Sequence, residues 1–150
     1  MEVRCATRQQ GFTLIEVLIV TVVLGIVASI ALVSLFGALD RSKQRATMAE
    51  MRIISRSIEA YIVDNNTPPD DSGGLASLTA VLIPYQTNVV PTRDHWKHPY
   101  DYSSDVTGVS YSIISFGKDG VDGVDISYAT RFDFNLDIVL SDGLFLAAPE

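Results

Sequence analysis

Residues 11–39 read GFTLIEVLIVTVVLGIVASIALVSLFGAL. From residue 12 to residue 39 there are 28 residues, and Glu16 is the only one that carries a charge. About 20 apolar residues are enough for a helix to cross the hydrocarbon core of a bilayer. The stretch therefore predicts a membrane-spanning helix, because it is too long for a core helix of a small domain.

The charges of the chain are unevenly distributed around a net charge of −7. Residues 1–63 contain seven Lys or Arg and five Asp or Glu, whereas residues 101–150 contain two and nine. Binding to phosphate groups needs clustered basic residues, so this pattern argues against nucleic acid as a partner. Cys5 is the only cysteine, which excludes an intrachain disulfide and makes a cysteine-ligated metal implausible.

The residues before the apolar stretch favour one orientation in the membrane. Arg4 and Arg8 precede it, and basic residues keep a terminus on the cytoplasmic side. A secretory signal peptide has an apolar region of only about 7–15 residues, shorter than the one here. A plain membrane anchor leaves Glu16 unexplained, because a carboxylate inside a membrane is costly and usually functional.

Residues 11–16 read GFTLIE and lead into the long apolar run. This pattern resembles the class III signal of type IV pilins and type II secretion pseudopilins. The resemblance implies that a prepilin peptidase cleaves between Gly11 and Phe12 and N-methylates Phe12. It also implies that Glu16 neutralises the amino terminus of a neighbouring subunit during assembly, which gives the buried charge a partner.

The composition changes at Asp40, where charged residues begin. No Pro or Gly interrupts residues 38–63, so we expect the helix to continue as an amphipathic helix over 40–65, ending before Pro68 because proline cannot continue it. A loop is predicted over 66–98, with room for a short helix at 75–83. The apolar positions of the amphipathic helix recur at helical spacing: Met48, Met51, Ile54, Ile58, Tyr61 and Ile62.

Residues 94–100 read DHWKHPY. They resemble the Asp-x-Trp-Gly-x-Pro-Tyr motif of major pseudopilins, with Lys97 in place of the usual glycine. His95 and His98 are predicted to be solvated loop residues rather than metal ligands, because no third histidine or cysteine lies nearby. The two aromatic residues of the segment are expected in the core: Trp96 and Tyr100.

The remainder of the chain predicts a sheet over 99–148. Strands are expected at 100–103, at 109–116 and at 131–140, where apolar residues alternate with polar ones. Residues 141–143 read SDG, which indicates a hairpin turn before a last strand at 144–147. In the third strand we expect one face to carry Phe132, Phe134, Leu136, Ile138 and Leu140.

The loop between the second and third strands is rich in aspartate and glycine. Residues 115–126 read SFGKDGVDGVDI and place Asp119, Asp122 and Asp125 at intervals of three. Calcium takes six to eight oxygen ligands, which carboxylates and loop carbonyls supply. An EF-hand is excluded because its acidic positions fall at every second residue. The alternative interpretation is that the Asp-Gly pairs only form turns.

Major pseudopilins carry a Ser-x-Gly-x-Asp-Gly loop, followed by an Asp-Ile dipeptide, that binds calcium. Asp119 matches the first part, and either Asp125 or Asp137 stands in a following Asp-Ile pair. The resemblance therefore implies a calcium ion held by Asp119, with Asp122, Asp125 and Asp137 as further candidate ligands.

The resemblance as a whole implies an α+β protein of the type IV pilin-like fold, with a long N-terminal helix packed on a small antiparallel sheet. Residues 1–11 would be a cleaved leader, 12–39 a transmembrane and filament-core helix, and 40–150 a periplasmic domain. The expected function is that of a type II secretion pseudopilus subunit, inserted in the inner membrane and polymerised into a helical filament. Its expected partners are copies of itself, the prepilin peptidase, minor pseudopilins and the inner-membrane assembly platform.

Two alternatives remain at this point. A type IV pilin-like subunit for adhesion, motility or DNA uptake shares the same leader and helix, although the paired cysteines of many such pilins are absent. A membrane-anchored periplasmic enzyme is the other, but the sequence shows neither a serine–histidine–acid arrangement nor a metal triad. We therefore expect a structural protein and not an enzyme.

Overall fold

The computed structural model describes residues 11–85, 90–105, 110–123 and 133–148. It confirms the α+β class, with a long N-terminal helix and a small antiparallel sheet. The chain divides after Ala38 into two compact units. The elements in chain order are α1 (Leu14–Asn65), α2 (Gly74–Leu82), β1 (Asp101–Ser104), β2 (Tyr111–Ser115), β3 (Ile138–Ser141) and β4 (Leu144–Ala147).

The N-terminal unit consists of the first part of α1. Its side chains from residue 14 to residue 36 are exposed, although most of them are large and apolar. The helix is long and apolar enough to cross a membrane, and its most apolar 18 residues bury none of their surface within the protein. Such a helix needs an apolar environment that the chain itself does not provide.

The C-terminal unit is built on a four-stranded antiparallel sheet in the order β1-β2-β3-β4. Ile113 lies between Tyr102 of β1 and Leu140 of β3, and all three side chains are buried. They belong to one core cluster with apolar residues of α1 and α2. A sheet with one apolar face requires such a cover, and α1 supplies it through fully buried Met51, Ile54 and Ile58.

The end of α1 follows from its last residues. The helix ends at Asn65, as the sequence predicted. Asn66 then adopts a left-handed conformation, with a φ of 57°, and its N–H donates to the Ile62 carbonyl at 2.8 Å. Asparagine tolerates this conformation better than most residues, and the hydrogen bond satisfies one of the last carbonyls of the helix.

The prediction for the third strand was wrong at its N-terminal end. β3 begins at Ile138, and residues 133–137 form a turn instead. The Asp133 carboxylate accepts a hydrogen bond from the Asn135 N–H at 3.1 Å, and the Phe134 carbonyl accepts one from the Lys118 N–H at 2.8 Å. These bonds take up backbone groups that a strand would pair with β2. The predicted position of Phe132 lies outside the described residues.

The other elements depart less from expectation. β1 covers Asp101–Ser104, one residue later than predicted, and β2 covers only Tyr111–Ser115. β4 covers the predicted residues, and the short helix expected near residues 75–83 is present as α2. The predicted strand position of Val109 lies outside the described residues.

Candidate functional site

The N-terminus of α1 brings Thr13 and Glu16 together. The Glu16 carboxylate accepts hydrogen bonds from the Thr13 N–H at 3.1 Å and from the Thr13 hydroxyl at 2.9 Å. The Glu16 N–H in turn donates to the Thr13 hydroxyl oxygen at 3.3 Å. This reciprocal pair is a capping box, which satisfies free N–H groups of the first helical turn. The Thr-x-x-Glu spacing of residues 13–16 is the sequence signal of this cap.

Two other predicted site residues lie just before this cap. Gly11 and Phe12 precede the first helical residue, and the Phe12 side chain is 89% exposed. The peptide bond between them therefore lies in an exposed segment outside the helix. Both residues lie within five positions of Glu16 in the chain, just before α1 begins at Leu14.

The acidic loop begins directly after β2 and turns twice at glycines. Gly117 has a φ of +61°, and a Cβ there would lie 2.8 Å from the carbonyl oxygens of Phe134 and Leu136. Gly120 has a φ of +69°, and its Cβ would lie 2.8 Å from the ring of His98. Only glycine fits both the backbone conformation and the available space, so the sequence fixes the path of this loop.

Asp137 is the buried carboxylate of the acidic loop region. Its side chain is buried, and its Oδ2 accepts a hydrogen bond from the Gly123 N–H at 3.0 Å. Its Oδ1 is also buried but has no hydrogen-bond partner among the described residues. Burial raises the pKa of Asp137 above its ordinary value, the bond from Gly123 opposes this rise, and the negative charges of Asp122 and Asp119 add to it.

These observations fit a hard cation such as calcium. An unpaired buried carboxylate oxygen near two other carboxylates is costly unless a positive charge compensates it. The donors are all oxygen atoms, which calcium prefers. Within the described residues, however, no three acidic or histidine side chains are close enough together to form a complete metal site. The predicted ligand Asp125 lies outside the described residues, and Asp119 is exposed, with its Oδ1 accepting the Val121 N–H at 3.2 Å.

The loop is held in place by residues that the sequence analysis did not assign to it. His98 is half-buried, and its Nδ1 lies 3.0 Å from the Gly117 carbonyl oxygen. Lys118 forms an ion pair with Asp40 of α1 at 2.7 Å, and this ammonium holds the pKa of the Asp40 carboxyl below its usual range. The prediction of a solvated His98 was therefore wrong, because its ring supports the acidic loop.

Hydrogen bonds to Asp94 within residues 94–98 hold His98 in position. Asp94 is buried and accepts hydrogen bonds from the Trp96 N–H at 2.9 Å, the His98 N–H at 2.8 Å and the Ser115 hydroxyl at 2.9 Å. Lys97 adopts a φ of +76°, the conformation that glycine favours. The expected core position of Tyr100 is confirmed, whereas Trp96 is only partly buried. His95 is exposed, and its Nε2 lies 3.1 Å from the Glu50 Oε1.

Two family models match the chain. The model described as type II secretion system (T2SS), protein G matches residues 34–130. The model described as the prokaryotic N-terminal methylation motif matches residues 6–32. The second match covers the Gly11–Phe12 bond and Glu16, and the first covers Asp119, Asp122 and Asp125.

Individual relatives show the same similarity. The type II secretion system core protein G of Aeromonas hydrophila is 34% identical over 127 residues, covering 79% of this chain and 89% of that protein. The proteins of the same name from Pseudomonas aeruginosa and Vibrio cholerae are 30% and 28% identical, covering 77% and 86% of this chain and 88% and 94% of those proteins. No solved structure shows significant similarity to the chain.

Proposed function

This chain belongs to the type II secretion system protein G family. From that premise we propose that it acts as a major pseudopilin. Such a subunit is processed in the inner membrane and polymerised in the periplasm to drive protein export. One observation carries the proposal: the protein G model and the N-terminal methylation motif match the same chain. The apolar part of α1, exposed along its whole length, supports it, because such a surface must lie in a membrane or against other helices.

The first step of the proposed function is proteolytic. Cleavage between Gly11 and Phe12 makes Phe12 the first residue, and methylation modifies its amino group. Exposure of Phe12 and the position of residues 11–13 outside the helix support cleavage here, since a protease must reach the peptide bond. Removal of residues 1–11 also removes Arg4 and Arg8, the charges that hold the N-terminus in the cytoplasm.

The second step is assembly. The α1 helices of successive copies pack into a filament core, where the small residues Gly25 and Ser29 allow close approach. The amino group of Phe12 from one copy approaches the Glu16 carboxylate of another, and this pairing offsets the cost of a charge in apolar surroundings. The role of the protein in this scheme is structural, so no residue is assigned to catalysis.

The location follows from the same features. The helix spans the inner membrane with its N-terminus in the cytoplasm, and the domain from residue 40 onward lies in the periplasm. Prepilin peptidase, minor pseudopilins and the inner-membrane assembly platform are the proposed partners beside other copies of the chain. Growth of the filament pushes exported proteins toward an outer-membrane channel.

Calcium is the proposed ligand of the acidic loop. The buried and unpaired Oδ1 of Asp137 and the adjacent charges of Asp119 and Asp122 support this proposal, with Asp125 as a further ligand candidate from the sequence. The ion would neutralise these charges and thereby fix the loop between β2 and β3. It supplies stability and no chemical step.

Mass spectrometry of the membrane-extracted protein tests the processing. We expect a mature chain that starts at N-methylated Phe12, and a Gly11→Leu variant that retains Met1. Secretion in a strain that lacks the gene tests the function: wild type restores export, whereas Gly11→Leu does not. An intact Met1 in the wild-type protein, or export that does not depend on the gene, would contradict the proposal.

A further inference from the structure

Two arginines of α1 border a polar cleft that has no part in the acidic loop. The cleft has a volume of about 320 Å³ and is lined by Arg52, Ser55, Arg56, Glu59 and Gly143. Arg52 and Arg56 are four residues apart, so they lie on the same side of the helix, and both are exposed. The opposite wall is the turn between β3 and β4, which contains Gly143.

Three acidic residues of this part of α1 contact other groups of the domain. Asp40 pairs with Lys118, and Glu50 accepts the Tyr100 hydroxyl at 3.0 Å. Glu59, which lies in the cleft itself, accepts hydrogen bonds from Ser55 at 3.2 Å and from Tyr111 at 3.3 Å. These carboxylates are therefore held by other groups of the domain, whereas the two arginine side chains are exposed at the cleft.

Neither arginine has a carboxylate partner within the part of the chain that the structure describes. The ion pairs found there are formed by Lys118 and His95. The Arg52 guanidinium lies over the Phe145 ring, 5.1 Å from its centroid, which orients the side chain without neutralising its charge. With two cations and one carboxylate, the cleft keeps a net positive charge, and guanidinium groups bind carboxylates through paired hydrogen bonds.

We propose that this cleft, defined by Arg52, Arg56 and Gly143, binds carboxylates exposed on the acidic last third, residues 101–150, of a second copy of the same chain. Charge complementarity identifies the occupant: residues 101–150 contain nine acidic and two basic residues, among them the exposed Asp101 and Asp133. Every copy therefore carries both a basic cleft and an acidic surface. A contact between the cleft of one copy and another surface of the next is head-to-tail, and it repeats from copy to copy as a filament requires.

The inference rests on the proposed function, since it names a contact by which subunits join in the filament. It also predicts an asymmetry. A copy whose cleft is reversed in charge keeps its acidic surface, so it still binds the cleft of a wild-type copy but offers no cleft to the next one. Such a copy ends a growing filament, and a small proportion of it reduces assembly of the wild type.

The experiment uses the full chain expressed in cells, with filament yield and N-terminal processing as readouts. We expect Arg52→Glu/Arg56→Glu to be cleaved and inserted normally but to lower filament yield by about tenfold or more, as loss of close charge pairs does at other interfaces. Co-expression at an equal level should reduce wild-type filaments as well. Arg52→Lys/Arg56→Lys keeps the charges but loses the paired hydrogen bonds, so it should assemble better than the charge-reversed variant and less well than wild type. Lys43→Glu/Lys97→Glu makes the same change in net charge outside the cleft and should assemble too.

Several outcomes would overturn the inference. Normal assembly of the charge-reversed cleft would do so, as would a lysine variant no better at assembly than the charge-reversed one, or a control variant as defective as the cleft variant. Loss of assembly without any effect on co-expressed wild type would contradict the head-to-tail geometry. If the wild-type chain itself is neither processed nor assembled, the proposed function fails instead, and the two failures are thereby distinguished.

Discussion

The Asp137 carboxylate and the Gly123 N–H, 14 residues apart in the chain, are joined by a hydrogen bond of 3.0 Å. This bond ties Gly123, in the middle of the acidic loop, to the residue just before β3. It satisfies only one oxygen of the carboxylate, because the other is buried without a partner among the described residues. A bound cation would use that oxygen, and this leads to the first prediction.

Calcium should stabilise the protein through Asp137. For the full chain in detergent, a free calcium concentration of about 100 times the Kd should add about 2.7 kcal/mol to the free energy of unfolding, read as a higher melting temperature than in chelator. Asp119→Ala and Asp137→Asn should abolish this gain. The matched control is Asp101→Asn, an exposed aspartate of β1 that should leave the gain intact. Identical melting curves with calcium and with chelator would contradict the calcium site.

The pH dependence of stability should reverse when calcium is present. In chelator, the raised pKa of Asp137 means that the folded state binds more protons than the unfolded state between the ordinary aspartate pKa and the raised one. The free energy of unfolding contributed by Asp137 should therefore increase as the pH falls through this window. With saturating calcium it should decrease instead, because protons compete with the metal.

The measurement for this prediction is the difference in melting temperature between wild type and Asp137→Asn, taken from pH 7 down to pH 4. All other titrating groups are the same in the two proteins, so their contributions cancel in this difference. Opposite slopes in chelator and in calcium are expected. The same slope in both conditions would show that Asp137 does not contact the ion.

Replacement of Lys97 with glycine should stabilise the domain. Its φ of +76° destabilises the folded state by about 1–2 kcal/mol for a residue with a side chain. Glycine avoids this strain, but its greater conformational entropy stabilises the unfolded chain by about 0.4–1 kcal/mol. We expect Lys97→Gly to stabilise the domain by about 0.5–1 kcal/mol, the difference between these terms. Lys97→Ala is the control, because it removes the side chain but keeps the strained conformation. Equal stability of the two variants in urea denaturation would refute the argument.

The sequence predicted those features that depend on neighbouring residues. The uninterrupted apolar stretch, the helix end at Asn65 and the SDG turn before β4 each follow from local chemistry. The start of β3 was missed because Phe134 and Leu136 alternate as in a strand. The turn they form depends on a hydrogen bond between Asp133 and Asn135 and on another from Lys118, near the start of the same β2–β3 connection.

The candidate functional sites were likewise predictable only where they depend on neighbouring residues. Sequence motifs located the Gly11–Phe12 bond and Asp119, but they left Asp125 and Asp137 as equal choices for the downstream ligand. The buried position of Asp137 depends on how the loop packs, which no local pattern contains. The cleft of Arg52 and Arg56 was not visible at all, because Gly143 on its other wall is far away in the sequence.

The contact between Gly120 and His98 gives the last prediction. A Cβ at Gly120 would lie 2.8–2.9 Å from three ring atoms of His98, so Gly120→Ala should destabilise the domain through both this clash and the positive φ. His98→Ala removes the ring but not the backbone strain. In the His98→Ala background the same glycine substitution should therefore cost about 1 kcal/mol less, a coupling within the range seen for residues in contact. The double-mutant cycle is measured by urea denaturation in chelator, and additive effects would show that the ring does not support the loop.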